Sequence, residues 1–245
     1  MKNIESYRDL SLFKFDSHNL VIANDSSGAI GLKKYDIVKA DPEIVGYFSA
    51  RVCLTEVIAY GAEPILLINN LSVEMEPTGR RIIGGIKRAM SSIDMDLDKM
   101  LNGSSEENFK TEQTGIGITV IGYSKDRDIP VYRAKKKDLI LALGRPYIGD
   151  EVIKNIEDIP EISEIKAMRN NPNINDILPV GSKGIREEIK NIERSLNSKA
   201  VIFETELDLN KSAGPATCIL VTINYNDCGE FIKNIEIPVE VIGLL

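Results

Sequence analysis

The stretch from Asp41 to Pro64 constrains this chain most. Asp41-Pro42-Glu43 carries three helix-start signals in a row: a capping side chain, a proline whose missing N–H is harmless in a first turn, and an acid facing the helix dipole. The helix reads to about Tyr60 and ends at Gly61, where a left-handed cap carries no Cβ penalty. Glu63-Pro64 then leads into ILLINNLSVEM, an apolar run short enough for a buried strand.

The flanking segments extend this pattern. LVIANDSSGAIG (20–31) reads as a strand breaking into an Asp/Ser/Gly loop, and Asp36–Asp41 as a second short strand. Pro77-Thr78-Gly79 opens a helix with Ile82, Ile83, Ile86, Met90 and Ile93 at helical spacing. LNGSSEENFKTEQTG (101–115) reads as a polar loop and ITVIGYS as a strand. The charged segment Lys125–Lys137 marks a boundary between domains at 1–125 and 133–245. Beyond it come the strand DLILALG, a turn at 145–150, an irregular helical stretch over 151–175, and PVGSKG before the helix IREEIKNIERSL. AVIFETEL, ATCILVTI and the terminal IEIPVEVIGLL read as strands, with a loop at 210–215 between the first two. The irregular alternation predicts an α+β fold rather than a strict parallel array.

Composition removes whole classes of chemistry. A net charge of -7 argues against coating a nucleic-acid backbone, but not against a phosphorylated small molecule reached through metal ions. No apolar run approaches the ~20 residues of a membrane span, and the N-terminus lacks a signal-peptide core. Three scattered cysteines, Cys53, Cys218 and Cys228, fit a reducing, cytoplasmic setting. The single histidine, His18, reads as a solvated residue in the polar run Asp16–Asn19. One histidine excludes Ser-His-Asp and Cys-His triads, His-rich zinc sites and HExxH proteases. Catalysis must use carboxylates, lysines, arginines, hydroxyls, backbone amides or a carboxylate-bound metal.

Three acids in the first half are placed for such a metal. Asp25 follows an apolar strand, Asp41 caps a helix, and Glu56 lies on a helical face with no basic residue three or four positions away. Such an acid must reach solvent or meet a cation. Magnesium takes one or two carboxylates plus substrate phosphates. Ser26-Ser27-Gly28, Gly181-Ser182-Lys183-Gly184 and Ser212-Ala213-Gly214-Pro215 offer backbone amides and hydroxyls, though none has Walker A spacing and each alone reads as an ordinary turn. The polar loop Asn102–Asn108 reads equally as a functional loop or as a flexible surface one.

The order of these segments resembles the aminoimidazole ribonucleotide synthetase superfamily. Asp25-Ser-Ser-Gly, then Lys39-Ala-Asp41, then Thr55-Glu56 through Gly61-Ala62-Glu63-Pro64 carry the likeness, which continues through ITVIG, Gly149-Asp150 and the terminal VIG. Glu56 stands where members usually have an aspartate. NGSSEENF, GRPYIGDEV, PVGSKGI and SAGPATC look most like the α-ribazole kinase branch. The resemblance implies a PurM-like two-domain fold, its N-terminal domain forming a β-barrel across a homodimer and its C-terminal domain α/β. It implies ATP and Mg²⁺ as cofactors, Asp25, Asp41 and Glu56 as ligands to the metal or phosphates, and the Asn102, Gly103, Ser104 and Asn108 loop, with Ser26, Ser27 and Gly28, in the ATP site. Lys183 replaces the acid usual at the second domain's helix start; Lys39 or Lys183 is the candidate to sit over developing phosphate charge, and Asp25 is the third catalytic candidate. The implied activity is phosphorylation of a small ribosyl compound, α-ribazole first. Thiamine-monophosphate kinase, a cyclo-ligase, or a non-catalytic nucleotide-binding module are the alternatives.

Overall fold

The computed structural model describes residues 4–15, 18–125 and 132–245. Within the expected boundary segment, residues 126–131 lie outside the described residues, as do Asp16 and Ser17 beside His18. The chain divides into two compact units, Met1–Ile129 and Pro130–Leu245.

The first unit contains β1 (Ile4–Tyr7), β2 (Leu10–Phe15), β3 (His18–Gly28), β4 (Ile30–Gly31), β5 (Val38–Lys39), α1 (Pro42–Tyr60), β6 (Glu63–Leu71), α2 (Arg80–Ser91), β7 (Leu101–Ser105) and β8 (Gly115–Ser124). Six strands form one sheet in the order β1-β2-β3-β8-β6-β7. Its ladders are antiparallel except between β6 and β7, where Leu67 faces Leu101 and Leu71 faces Ser105. The helix start reads as expected: Asp41 accepts from the Glu43 amide at 2.9 Å, Pro42 opens the helix, and Gly61 ends it at φ 102°.

Helix α1 lies on the sheet face carrying Val21, Ala23, Ile116, Ile118 and Val120, all buried. Gly122 faces the Val57 side chain so closely that a Cβ there would sit 2.3 Å from it. Helix α2 packs on α1 at two glycines. A Cβ on Gly46 would sit 2.0 Å from the Ile82 carbonyl oxygen, and one on Gly85 only 1.9 Å from that of Glu43. Backbone meets backbone there, which leaves α1 buried along nearly its whole length.

The second unit contains β9 (Asp138–Gly144), α3 (Asp150–Lys154), α4 (Ile162–Arg169), β10 (Ile174–Pro179), α5 (Gly184–Leu196), β11 (Val201–Ile202), β12 (Cys218–Asn224), α6 (Tyr225–Lys233) and β13 (Val239–Leu244). Its five-stranded sheet runs β10-β12-β9-β13-β11, with every pairing antiparallel. Every residue of β9 is buried, as a central strand requires. Ile185, Ile189 and Ile192 of α5 join Ile140, Leu178 and Leu220 in one core cluster. Asp176 ties the start of this unit down, accepting from the Arg133 and Ala134 amides at 2.8 and 2.9 Å.

Several sequence expectations are corrected. Asp25–Gly28 is not a loop but the end of β3, held extended by pairing with Gly115–Ile118. Residues 101–105 are a strand, because their backbone pairs with β6. The irregular helical stretch gives way to β10 at Ile174, and α6 follows β12 where the sequence pattern predicts no element. AVIFETEL shrinks to the two residues of β11. His18 is half-buried, with Nδ1 2.9 Å from the Tyr123 hydroxyl.

The α1–α2 contact yields a paired prediction. Gly85→Ala should destabilise the protein by about 3 kcal/mol, because a backbone-to-backbone overlap cannot be relieved by a side-chain rotation. Gly84→Ala should be neutral or slightly stabilising, since its Cβ would meet only the Glu43 Cγ at 3.9 Å and alanine favours the helix. Urea unfolding of both variants checks this.

Candidate functional site in the first unit

Side chains alternate across the six-stranded sheet, and the register sorts them into two faces. On the α1 side, one cross-strand row reads Asp25, Ile118, Asn69, Gly103. On the opposite face the rows are largely apolar at one end, with two serines among them: Ile4, Phe13, Leu20 and Tyr123, then Ser6, Ser11, Ile22, Ile121 and Leu66. They turn polar at the other: Asn24, Thr119, Ile68 and Asn102, then Ser26, Gly117, Asn70 and Ser104. The candidate nucleotide residues of β3 and β7 therefore lie at one end of one sheet.

Asp25 is half-buried at the α1 side of that end. Burial pushes its carboxyl above the usual aspartate range; the Ser26 amide opposes this, and the nearby Asp9 charge adds to it. Ser26 and Gly28 are exposed and Ser27 half-buried. Buried Asn69 donates to the Asn102 carbonyl at 3.0 Å, and a Cβ on Gly103 would lie 2.4 Å from Asn69. That position accepts only glycine because β6 and β7 approach across this amide. The Asn102 side chain accepts from the Gly103 amide at 2.8 Å, and the Asn108 amide donates to Glu106 at 2.7 Å.

Glu56 meets its cation. Arg8, from the β1–β2 turn, donates to Glu56 Oε1 at 3.3 Å, and both side chains are buried. Asp41 pairs with Arg81 of α2 while capping α1. At ~1.5 Å rise per residue the two acids stand roughly 22 Å apart along α1. Among the described residues, no group of three or more His, Cys, Asp or Glu side chains is placed to hold a metal ion. Asp25, Asp41 and Glu56, expected as ligands to the metal or the phosphates, are thus not gathered into one cluster among the described residues. Burial first, then the charges of Asp25 and Glu56, raises the Cys53 thiol far above the reactive range. Its Sγ lies 3.6 Å from the Ile118 carbonyl oxygen, so it is a packed, inert group.

Lys39 donates to the Lys33 carbonyl at 2.7 Å and stabilises the 33–39 turn. Lys183 belongs to the second unit. It is exposed at the N-terminal cap of α5 and has no ion-pair partner among the described residues. Its loop is fixed by the Ala213 amide donating to the Gly181 carbonyl at 3.2 Å. Gly184, at φ 77°, sits where a Cβ would lie 2.8 Å from the Leu209–Lys211 backbone. Sequence reading missed Arg8, Asp9 and Asn69, whose partners lie far away in the chain.

Residues 8–124 match the family described as AIR synthase related protein, N-terminal domain. The fold is that of the AIR synthase-related, PurM-like proteins. Thiamine-monophosphate kinase from Stenotrophomonas maltophilia superposes with a TM-score of 0.66 at 15% identity, covering 99% of this chain and 88% of that one. E. coli HypE, a hydrogenase maturation protein, gives 0.66 at 12%, covering 91% and 79%. AaThiL, solved in complex with AMPPCP and TMP, gives 0.64 at 16%, covering 96% and 84%. No curated protein sequence matches this chain.

A carboxylate held above its ordinary pKa predicts a specific pH dependence. The folded state holds the Asp25 proton more tightly than the unfolded chain does, so this contribution to stability is present at acid pH and lost as pH rises through the folded pKa. In metal-free buffer, Asp25→Asn should therefore raise the thermal midpoint at pH 7.5. The gain should shrink as pH falls and the wild-type carboxyl takes up its proton. Calorimetric scans across pH check the sign.

Proposed function

We propose that this chain is a cytoplasmic ATP- and Mg²⁺-dependent kinase that phosphorylates a small ribosyl compound. The acceptor we put first is α-ribazole, converted to α-ribazole phosphate in cobalamin salvage. The observation that carries the reading is the extent of the fold match. It reaches 99% of this chain against a thiamine-monophosphate kinase and so takes in both units. Asp25 adds chemistry to the match: a half-buried carboxylate held against burial and a neighbouring acid is a charge that a cation would relieve.

A hard divalent ion takes carboxylate oxygens, and Asp25, Asp41 and Glu56 are the acids we put forward for it, although they are not gathered into one cluster among the described residues. Asp25 is the best placed of them, with Glu56 held by Arg8 and Asp41 by Arg81. When bound, the metal supplies neutralisation of charge on the β- and γ-phosphates. The chain's own part is positioning. Ser26, Ser27, Gly28, Asn102, Gly103, Ser104 and Asn108 line the nucleotide, and Lys39 stabilises the turn leading to Asp41. Lys183, exposed at the start of α5 in the second unit, has no ion-pair partner among the described residues.

The apolar rows of the sheet's second face support a homodimer. Ile4 is 67% exposed and Phe13 38%, and a second copy laid on these rows would close both sheets into a barrel and cover their edges.

The reading is tested with γ-labelled ATP and three acceptors offered separately: α-ribazole, thiamine monophosphate and formylglycinamidine ribonucleotide. Label in α-ribazole phosphate is the expected result, from a species of twice the 27.2 kDa chain mass by light scattering. Label in thiamine diphosphate keeps the kinase and replaces the acceptor. Label released only as inorganic phosphate with the amidine substrate overturns the kinase in favour of a cyclo-ligase.

A further inference from the structure

Three connections of the first unit meet at one lysine. Lys33 lies between β4 and β5. Its ammonium donates to Glu74 Oε2 at 2.6 Å and to the Thr111 carbonyl at 2.9 Å, with the side chain only 11% exposed. Glu74 precedes the turn into α2 and also accepts from the Thr78 hydroxyl at 2.9 Å. Burial would raise the Glu74 carboxyl, but the hydrogen bonds from Lys33, its own backbone and Thr78, with the Lys33 charge, outweigh it and hold it low. Thr111 belongs to the loop between β7 and β8.

The same three segments are stitched on either side of this ion pair. Glu107 accepts from the Met75 amide at 2.9 Å and from the Ser105 hydroxyl at 2.7 Å. Buried Asp36 accepts from the Lys33 amide at 2.8 Å and from the Thr114 amide and hydroxyl, both at 2.7 Å. The Tyr35 amide donates to the Glu112 carbonyl at 3.0 Å. A loop of this length without its own secondary structure is fixed only by such contacts.

We infer that Lys33, through its ion pair with Glu74, is a positioning residue of the nucleotide site, locking the Asn102–Asn108 segment and the run leading to Asp41 in one arrangement. The inference rests on the nucleotide reading above and adds the group that sets its geometry. Lys33 is committed to protein acceptors on two sides, so it acts on the loops and not on a phosphate. A lysine is suited to this because its three donors reach a carboxylate and a carbonyl in different segments at once.

The test is calorimetric titration of Mg·ATP into the full-length wild type, Lys33→Met, Lys33→Arg and Glu74→Gln. Lys33→Met should weaken binding tenfold or more. Lys33→Arg, which keeps a cation within reach of both acceptors, should recover most of the loss, and Glu74→Gln should lose several-fold. A purely structural role predicts a lower melting temperature with affinity unchanged. Lys33→Met binding within twofold of a wild type that does bind overturns the inference alone. A wild type that binds no Mg·ATP overturns the nucleotide reading and the inference together. If Lys33→Met does not fold, Glu74→Gln decides the matter by the same criterion, wild-type affinity overturning it.

Discussion

The burial of α1 is the constraint on which the first unit depends. The helix is covered by the sheet on one side and by α2 on the other, with Gly46 and Gly85 bringing the helix backbones into contact. A helix in that position cannot leave a charge without a partner, because an unpaired buried ion costs several kcal/mol. Glu56 is therefore matched by Arg8, brought in by the β1–β2 turn. Asp41, at the exposed N-terminal end, keeps contact with solvent. The same burial sets the surroundings of the two acids on α1: Glu56 is buried with Arg8, while Asp41 caps the helix and pairs with Arg81.

That division explains how much of the site the sequence disclosed. The caps of α1 were legible because their signals are local: Asp41, Pro42 and Gly61 each act within a turn. Asp25 was legible as an acid after an apolar strand, but not as a strand residue. Asn-Asp-Ser-Ser has poor strand propensity, and only the ladder with β8 holds it extended. β7 was invisible for the same reason, since Asn102, Gly103 and Ser104 pair with β6 across more than thirty intervening residues. β10 was obscured by its Asn and Asp; Asp176 is explained by the amides of Arg133 and Ala134 that it accepts. The lack of a local cation beside Glu56 was read correctly, but nothing in the sequence pointed to Arg8 as its partner.

Two loop systems, one in each unit, carry the unpaired or polar groups left over by the two cores. In the first, buried Asn69 and Asp36 and the Lys33–Glu74 pair turn three connections into one rigid assembly beside β3 and β7. In the second, Gly184 and Thr217 fix the loops around Lys183 and Tyr147, with Thr217 accepting from the Tyr147 amide at 2.9 Å. Phosphoryl transfer asks little covalent chemistry of a protein and much positioning. Loops tied by side-chain-to-backbone hydrogen bonds at sheet ends, in a chain with one histidine, suit that division of labour.

The central claim is that nucleotide binds at the polar end of the six-stranded sheet. Amide hydrogen exchange of the full-length protein, with and without Mg²⁺ and a non-hydrolysable ATP analogue, tests it most directly. The account predicts added protection concentrated in residues 24–41 and 102–114, with little change in the middle of α1. Nucleotide-dependent protection elsewhere in the chain, with those two segments unchanged, would contradict it.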